Sequence, residues 1–227
     1  MCDSVHSIMS NASDALLRGS LESAEDALSS ADALEELRVR SEERAVQLLA
    51  LEGPVARDLR QVVSSIYIVE DFQRMAALAM HIAKAARRRH PSLAIPQETV
   101  GYFQEMARLV SEMATKTRDI LVDPNADVAL VLAEDDDAVD DLNEYMLTLL
   151  TQREWAHSTR EAVDVALLAR YYERYADHCV NVAARIVYLS SGLMPEQYLA
   201  KKESDRAEAD MAQRFAELER QFSRRRQ

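Results

Sequence analysis

Glycine and proline are scarce in this sequence of 227 residues, which contains four glycines and five prolines. A chain with so few turn-forming residues, in which Ala, Leu, Glu, Arg and Asp dominate, is typical of helical proteins. The scarcity of glycine also argues against a glycine-rich loop of the kind that cradles nucleotide phosphates. We therefore expect an all-α protein in which β structure is close to absent.

Cysteine and long apolar runs are equally sparse. The two cysteines, Cys2 and Cys179, are far apart in the sequence, and Cys179 falls on a predicted core face, which favours reduced thiols in the cytoplasm. No apolar run approaches a membrane span, and the N-terminus lacks the order of a signal peptide. The net charge of −12 would repel nucleic acid over most of the surface. We expect a soluble, acidic, cytoplasmic protein that neither binds nucleic acid nor inserts into a membrane.

A long helical pattern between Arg160 and Gly192 organises the second half of the chain. Its apolar residues recur at spacings of four and three, which places them on one helix face: Leu168, Tyr172, Tyr175, Cys179, Val182, Ile186 and Leu189. The same pattern occurs one hundred residues earlier, as Ile68, Phe72, Met75, Ala79, Ile82 and Ala86. The chain is therefore an internal duplication.

The predicted helices form two groups of three. The first group covers about residues 3–18, 20–52 and 54–90, and the second covers about 97–120, 126–151 and 159–192. We predict two tandem antiparallel three-helix bundles, 1–90 and 97–192, joined by a linker at 91–96. The charged tail, 193–227, carries a narrow apolar stripe and a basic end: Met211, Phe215, Leu218 and Phe222, then Arg224 to Arg226. This tail is either frayed or a helix that docks on its own bundle or on a partner.

Two details of the helices are further expectations. In the fifth helix we predict that these residues point inward: Val128, Val131, Ala138, Val139, Leu142, Tyr145, Met146 and Leu149. The first helix has about 16 residues before Gly19, whereas its counterpart, the fourth, spans about 26. A bundle that lacks two turns of one helix exposes apolar surface on the other two. We expect either that the true start lies upstream or that the first bundle is frayed there.

Two acidic pairs are the strongest functional signal. Glu173 and Asp177 are four residues apart on the sixth helix, and Asp136 and Asp140 have the same spacing on the fifth. Adjacent helices would let these four carboxylates converge along one groove, where they repel each other unless a cation joins them. Divalent cations and iron suit an all-oxygen ligand set, so we expect Fe, Zn, Mn or Mg there. The alternative is a solvated acidic face near Arg170 and Arg174.

Other features leave alternatives open. The Glu154–His157 pair has the spacing of a di-iron carboxylate oxidase motif, but it occurs once and in a predicted loop, where chance or a helix cap explains it better. A metal-free helical adaptor, whose acidic pairs only keep it soluble, is a third possibility. The basic run from Arg87 to His90 suits the negative end of a helix dipole or forms a binding patch. His178 is either a further metal ligand or the edge of the core.

Two short stretches resemble a known family. The first is Glu173-Arg174-Tyr175-Ala176-Asp177-His178, followed by Asn181 and Ala183, and it resembles the ERxGDHxxNxA signature of the PhoU family. The second is Pro54-Val55-Ala56, followed by Asp58-Leu59-Arg60, and it is similar to that family's other recurring stretch. The resemblance extends from the first helix to about Gly192 and leaves the charged tail outside.

This resemblance implies paired three-helix bundles with surface metal clusters held by Glu/Asp-x-x-x-Asp pairs. It also implies a non-enzymatic regulator that restrains phosphate-starvation signalling through contact with the ATP-binding subunit of a phosphate transporter and a membrane sensor histidine kinase. We also expect a homodimer. The first repeat departs from the pattern, because Gln73 and Ala77 stand where the acidic pair would be. We therefore expect a metal site in the second repeat, at Asp136, Asp140, Glu173 and Asp177, and none or a weak one in the first.

Overall fold

The computed structural model describes residues 1–224, all of whose regular structure is helical. The helices are α1 (Cys2–Arg18), α2 (Leu21–Ser29), α3 (Ala31–Leu51), α4 (Ala56–Arg89), α5 (Val100–Val122), α6 (Ala126–Gln152), α7 (Thr159–Ser191) and α8 (Pro195–Arg224), with a short 3-10 turn at Gln97–Thr99. Residues 225–227 and the side chains of Glu219 and 221–224 lie outside the described part. The predicted stripe residue Phe222 and the terminal arginines are among them.

The helices pack as two bundles around a central pair, α4 and α7. The helix α3 flanks α4, and α6 flanks α7, so that α3 and α6 lie at opposite edges of a layer of four helices. The helices α1 and α5 cover the other side of this layer, against α4 and α7 respectively, and they contact each other. The prediction of tandem antiparallel bundles is confirmed. The two bundles share one continuous apolar core.

The predicted seams of α4 and α7 form the centre of this core. Tyr172 and Tyr175 are fully buried, and the other seam residues of both helices are buried except Leu189, which is partly buried. The Tyr172 hydroxyl lies 2.9 Å from the Ser13 hydroxyl of α1 and so links the repeats. At its start, α7 has a reciprocal cap: the Ser158 hydroxyl accepts from the Glu161 amide, and the Glu161 carboxylate accepts from the Ser158 amide.

The predicted single second helix is wrong, because the chain breaks it into α2 and α3. The break falls at Ser29 and Ser30, whose hydroxyls both donate to the Asp26 carbonyl at 3.0 Å. Serine hydroxyls compete for backbone groups in this way and weaken a helix interior. After the break α3 is poorly covered, with only Leu34 and Ala45 buried.

The predicted inward face of α6 is wrong at three positions. Val128 and Val131 are 51% and 46% exposed, and Ala138 is also exposed. The buried face of α6 instead consists of Ala126, Ala129, Leu132, Val139 and Met146. Tertiary packing thus places Ala126, Ala129 and Leu132 in the core in place of Val128 and Val131. Sequence periodicity alone does not separate these two neighbouring faces.

The tail is helical from Pro195 to Arg224, and its first turns contact the rest of the chain. The Tyr198 hydroxyl and the Lys202 ammonium both donate to Asp127 at the start of α6, at 3.0 and 2.7 Å. Within residues 1–224, no helix has the length and apolar character needed to cross a lipid bilayer.

Candidate metal centre

The contact between α6 and α7 forms the candidate site. The acidic run of α6 places Asp136 and Asp140 one turn apart on one helix face, and α7 does the same for Glu173 and Asp177. Because α6 and α7 are the most extensively packed helix pair, these four carboxylates lie along one interface. Glu173 is only 7% exposed. The alternative of a solvated acidic face therefore does not hold for Glu173, which α6 covers.

Two arginines of α7 pair with its carboxylates. Arg170 donates to Glu173 Oε1 in a close contact, and Arg174 donates to Asp177 Oδ2 at 3.2 Å. Both pairs span one helical turn. The Glu173 carboxylate is enclosed, whereas the arginines are about half exposed, so these guanidinium groups can swing into solvent while the carboxylate stays in place. The arginines partly neutralise the interface.

The remaining negative charge is poorly compensated on the α6 side. Burial raises the pKa of Asp136 to about 7, and repulsion by Asp140, Asp177 and Glu173 adds to this effect. The pKa values of Asp140 and Glu173 are raised in the same way, first by burial and next by Asp177. The four groups therefore act on each other electrostatically. A shared proton or a cation would relieve the repulsion.

Unpartnered buried oxygens support a ligand-binding role for this interface. Asp136 Oδ1 and Glu173 Oε2 are buried and lack a hydrogen-bond partner. A buried carboxylate oxygen without a partner is costly, because it has lost its water and gained nothing in exchange. An all-carboxylate donor set suits a hard divalent cation or iron. The residues present therefore fit such a cation.

The arrangement is not a ready-made coordination sphere. Among residues 1–224, no group of three or more carboxylate, imidazole or thiol side chains is close enough together to hold a metal ion. Binding would require Arg170 and Arg174 to release Glu173 and Asp177. Metal binding by Asp136, Asp140, Glu173 and Asp177 thus stays a prediction.

Asn143, which was not among the predicted site residues, lies on the same face of α6. It follows Asp140 by three residues and Asp136 by seven, and its Oδ1 atom is buried without a partner. An amide carbonyl is a ligand that hard cations accept. The i, i+4, i+7 spacing of Asp136, Asp140 and Asn143 is the sequence pattern from which Asn143 could have been predicted as a further ligand.

The corresponding interface of the first repeat has different chemistry. A shallow cavity of about 300 Å³ lies between α3 and α4, lined by Asp32, Glu35, Gln73 and Ala77 among others. The Gln73 amide donates to Glu35 at 3.4 Å, and Arg38 pairs with the same carboxylate. Gln73 and Ala77 are uncharged, whereas the matching residues of the second repeat, Glu173 and Asp177, are acidic. This interface therefore has less negative charge for a cation to offset.

His178 lies outside the carboxylate cluster. Its Nδ1 atom bonds Asp71 Oδ1 of α4 at 2.9 Å, and its side chain is 6% exposed. The alternative that His178 edges the core is the one the structure favours. Asp71 had not been identified from the sequence.

The basic run at the end of α4 is used inside the molecule. Arg88 and Arg89 both bond the buried Asp164 of α7, with Arg88 Nη2 at 3.1 Å from Asp164 Oδ1. Arg87 pairs with Glu25 of α2 at 3.3 Å. The run therefore joins α4 to α7 and α2, which neither interpretation from the sequence anticipated. The buried Asp164 partner was invisible in the sequence.

Glu154 and His157 lie in the loop between α6 and α7, as predicted. His157 Nε2 is 3.2 Å from Glu98, and its ring meets Trp155 edge-on. These contacts give His157 a structural role at the end of the bundle. They place it away from the carboxylate interface and give no support to an oxidase site.

Fold and site together define a class: duplicated three-helix bundles whose second repeat carries a carboxylate-lined interface between two helices. Comparison with known sequences agrees, because the PhoU domain family matches residues 1–86 and 103–186. The chain belongs to the PhoU family.

Named relatives extend this result over most of the chain. A PhoU homolog 2 from Mycobacterium tuberculosis, a phosphate-specific transport system accessory protein, is 45% identical over 86% of this chain and 92% of its own length. PhoU homolog 1 from Mycobacterium leprae is 42% identical over 86% and 88%. The crystal structure of PhoU from Pseudomonas aeruginosa shares the fold, with a TM-score of 0.75, 23% identity and coverage of 85% and 93%.

Proposed function

We propose that this protein is a cytoplasmic regulator of phosphate uptake and phosphate-starvation signalling that acts by protein contact and without catalytic turnover. The observation that carries this proposal is membership of the PhoU family across both repeats, with relatives named as accessory proteins of phosphate-specific transport. The proposed partners are the ATP-binding subunit of a phosphate transporter and a membrane sensor histidine kinase. The protein acts in this scheme as a homodimer.

We further propose that the α6–α7 interface holds a divalent metal or iron through Asp136, Asp140, Glu173 and Asp177. The buried, unpartnered oxygens of Asp136 and Glu173 support this site, as does the raised pKa of Asp136. A bound cation would hold α6 against α7 by offsetting carboxylate repulsion. The role of the site in this proposal is to fix the shape of the second repeat, and no reaction is assigned to it.

A metal-free adaptor is the second candidate, and one observation favours it. Arg170 and Arg174 already pair with Glu173 and Asp177, and within residues 1–224 no three ligand groups converge as they stand. In this alternative the arginines alone balance the acidic pair. Metal analysis of the purified protein separates the two candidates, because the adaptor copurifies with no stoichiometric metal.

Deletion of the gene tests the regulatory proposal. We expect the deletion strain to express phosphate-scavenging genes in phosphate-rich medium, as measured with a reporter, and the wild-type gene supplied in trans to restore repression. Complementation with Glu173→Ala/Asp177→Ala then shows whether repression needs the carboxylates. Normal repression in the deletion strain would contradict the proposed function whatever the metal content.

A further inference from the structure

Two arginines of α7 are the counterions of the α6–α7 carboxylate interface. The helix α6 has no lysine or arginine between Ala126 and Gln152, so it supplies negative charge alone. On α7, Arg170 pairs with Glu173, and Arg174 pairs with Asp177. Two guanidinium groups face four carboxylates, which leaves two negative charges unbalanced. In the metal-free protein these arginines therefore limit the repulsion between the two helices.

The arginines are placed so that they can leave while the carboxylates stay. Each arginine precedes its carboxylate by three residues and so lies about 60° around α7 from it. The side chain of Arg170 is 51% exposed, whereas that of Glu173 is 9% exposed. Ion pairs that solvent reaches this easily contribute little to stability, because water hydrates the guanidinium almost as well. Arg170 can therefore return to water, whereas Glu173 is held against α6.

A buried oxygen at the centre of the interface points to a further ligand. Arg170 bonds Glu173 Oε1, but Glu173 Oε2 is buried and lacks a partner. Asp136 Oδ1 on the facing helix is in the same state. Each arginine pairs with a carboxylate of its own helix, so it leaves the oxygens between the helices unsatisfied. A cation bound between α6 and α7 would offset both carboxylates at once.

A guanidinium group and a divalent cation compete for the same carboxylates. A guanidinium group on Glu173 or Asp177 occupies one oxygen and repels a second cation within a few ångströms. Among residues 1–224, no three acidic, imidazole or thiol side chains are close enough together to hold a metal ion, which agrees with carboxylates that arginines already occupy. A divalent cation has twice the charge of an arginine and can bind oxygens of both helices. The exchange therefore favours the metal.

We propose that Arg170 and Arg174 are built-in competitors of the metal centre, which occupy Glu173 and Asp177 in the metal-free protein and move into solvent when a divalent cation binds. This inference deepens the proposed function and rests on its metal site. Its first consequence is that the arginines lower the affinity for metal. Its second consequence is that the metal-loaded protein presents two free guanidinium groups on the solvent side of α7. The surface of the second repeat thus changes with its metal content.

A titration with Mn²⁺ tests the first consequence. The full-length protein is freed of metal with a chelator, and its affinity for Mn²⁺ is measured by competition with a chromogenic chelator. We expect Arg170→Ala/Arg174→Ala to bind Mn²⁺ about tenfold more tightly than the wild type, or more, because two ion pairs no longer have to be broken. Wild-type affinity in this variant overturns the proposal.

A second double variant is the matched control for net charge. Arg160 is exposed, and Arg185 stacks on the ring of Tyr67 of α4, 4.0 Å from its centroid. Arg160→Ala/Arg185→Ala therefore removes the same charge from the same helix without touching the carboxylate pairs. We expect its affinity for Mn²⁺ to stay within about twofold of the wild type, because distant charges are screened. An equal gain in both double variants would overturn the proposal.

The titration also separates this inference from the proposed metal site. If the wild type binds Mn²⁺ and loss of Arg170 and Arg174 leaves the affinity unchanged, the metal site holds and only the competition is refuted. If neither the wild type nor the variant binds Mn²⁺, the metal site is refuted, and the competition with it. Binding by the variant alone supports the competition, because the arginines then block the carboxylates in the wild type.

Chemical labelling of the wild type tests the second consequence without any substitution. Phenylglyoxal modifies accessible guanidinium groups, and peptide mass spectrometry gives the rate at each arginine. We expect saturation with Mn²⁺ to raise the labelling rates of Arg170 and Arg174 severalfold and to leave those of Arg160 and Arg185 unchanged. If Mn²⁺ binds and the rates at Arg170 and Arg174 do not rise, the arginines stay on their carboxylates and the proposal is wrong.

Discussion

His178 of α7 donates a hydrogen bond to Asp71 of α4, with 2.9 Å between Nδ1 and Oδ1, and so joins the two repeats at their central helix pair. Both side chains are largely buried, at 6% and 15% exposure. The contact lies beside the α6–α7 carboxylates without belonging to them. The second repeat therefore uses adjacent residues for two purposes: Asp177 for the candidate metal centre and His178 for the junction between repeats.

The junction predicts a stability loss for Asp71→Ala. The substitution leaves a buried imidazole N–H without an acceptor, which costs about 1–3 kcal/mol. For a chain of this size we expect the melting temperature to fall by about 2–4 °C per kcal/mol. Thermal and urea unfolding measure the effect. Glu70→Ala, which removes only an exposed pair with Arg74, is the control and should change stability by less than about 0.5 kcal/mol. Equal losses in both variants would contradict the role of the junction.

The raised pKa of Asp136 leads us to expect that the stability of the metal-free protein falls as the pH rises. Its pKa is raised from 3.8 to about 7 in the folded state, so between these pH values the folded protein binds more protons than the unfolded chain. Stability from this group is therefore present at low pH and is lost as the pH rises through about 7. In the presence of a chelator, urea midpoints should be higher at pH 5 than at pH 8.

Substitution of Asp136 separates this effect from other titrations. Asp136→Asn should flatten the decline between pH 5 and 8 and raise the urea midpoint at pH 8. Asp210→Asn, an exposed position on α8, should leave the wild-type profile unchanged. If Asp136→Asn declines as steeply as the wild type, Asp136 is not the group responsible.

The proposed metal centre predicts asymmetric loading of the two repeats. Glu173→Ala/Asp177→Ala should abolish metal binding, measured by elemental analysis after purification, whereas Gln73→Ala at the matching position of the first repeat should retain it. A cation that binds only the folded arrangement stabilises it, so chelation should lower the wild-type melting temperature. The double variant should melt no lower than chelated wild type, because it lacks the repulsion. A full complement of metal in the double variant, or metal on the first repeat, contradicts the site.

We expect replacement of two glycines by alanine to change the free energy of unfolding in opposite directions. Gly192, which ends α7, has φ 78°, and an added Cβ would lie 3.5 Å from the Arg60 guanidinium carbon. Gly192→Ala should therefore cost about 1–2 kcal/mol through left-handed backbone strain. Gly101 lies inside α5 with open space around it, so Gly101→Ala should stabilise the protein by roughly 0.5–1 kcal/mol. Urea unfolding of both variants checks the contrast, and the same sign for both would refute it.

The exposure of α8 predicts that the tail is dispensable for the fold of one copy. Truncation after Met194 removes the contacts of Tyr198 and Lys202 with Asp127. It removes no buried residue of the shared core, although the partly buried Tyr198 packs against that core. At concentrations low enough to keep the protein monomeric, the melting temperature should stay nearly unchanged, while binding to any partner that recognises α8 is weakened. A large fall in melting temperature would show that α8 packs on its own bundle.

The sequence by itself determined the duplication, the central seam and most of the helices, although not the break between α2 and α3. Apolar spacings of three and four residues predict the faces of α4 and α7, because these signals depend on local geometry. The acidic spacing likewise placed Asp136, Asp140, Glu173 and Asp177 on two neighbouring helices. Local patterns carry this information because a helix repeats every few residues.

Only the tertiary structure decided which faces are covered and which charges meet. Val128 and Ala129 differ in burial although both are apolar neighbours on α6, because the rotation of the helix depends on how closely α5 and α7 approach it. The partners of Asp164 and His178 come from α4, more than 70 residues away in sequence. Such pairings carry no periodic signal, since they depend on the docking of distant helices, and the same docking determines that Glu173 is buried while Asp140 stays exposed.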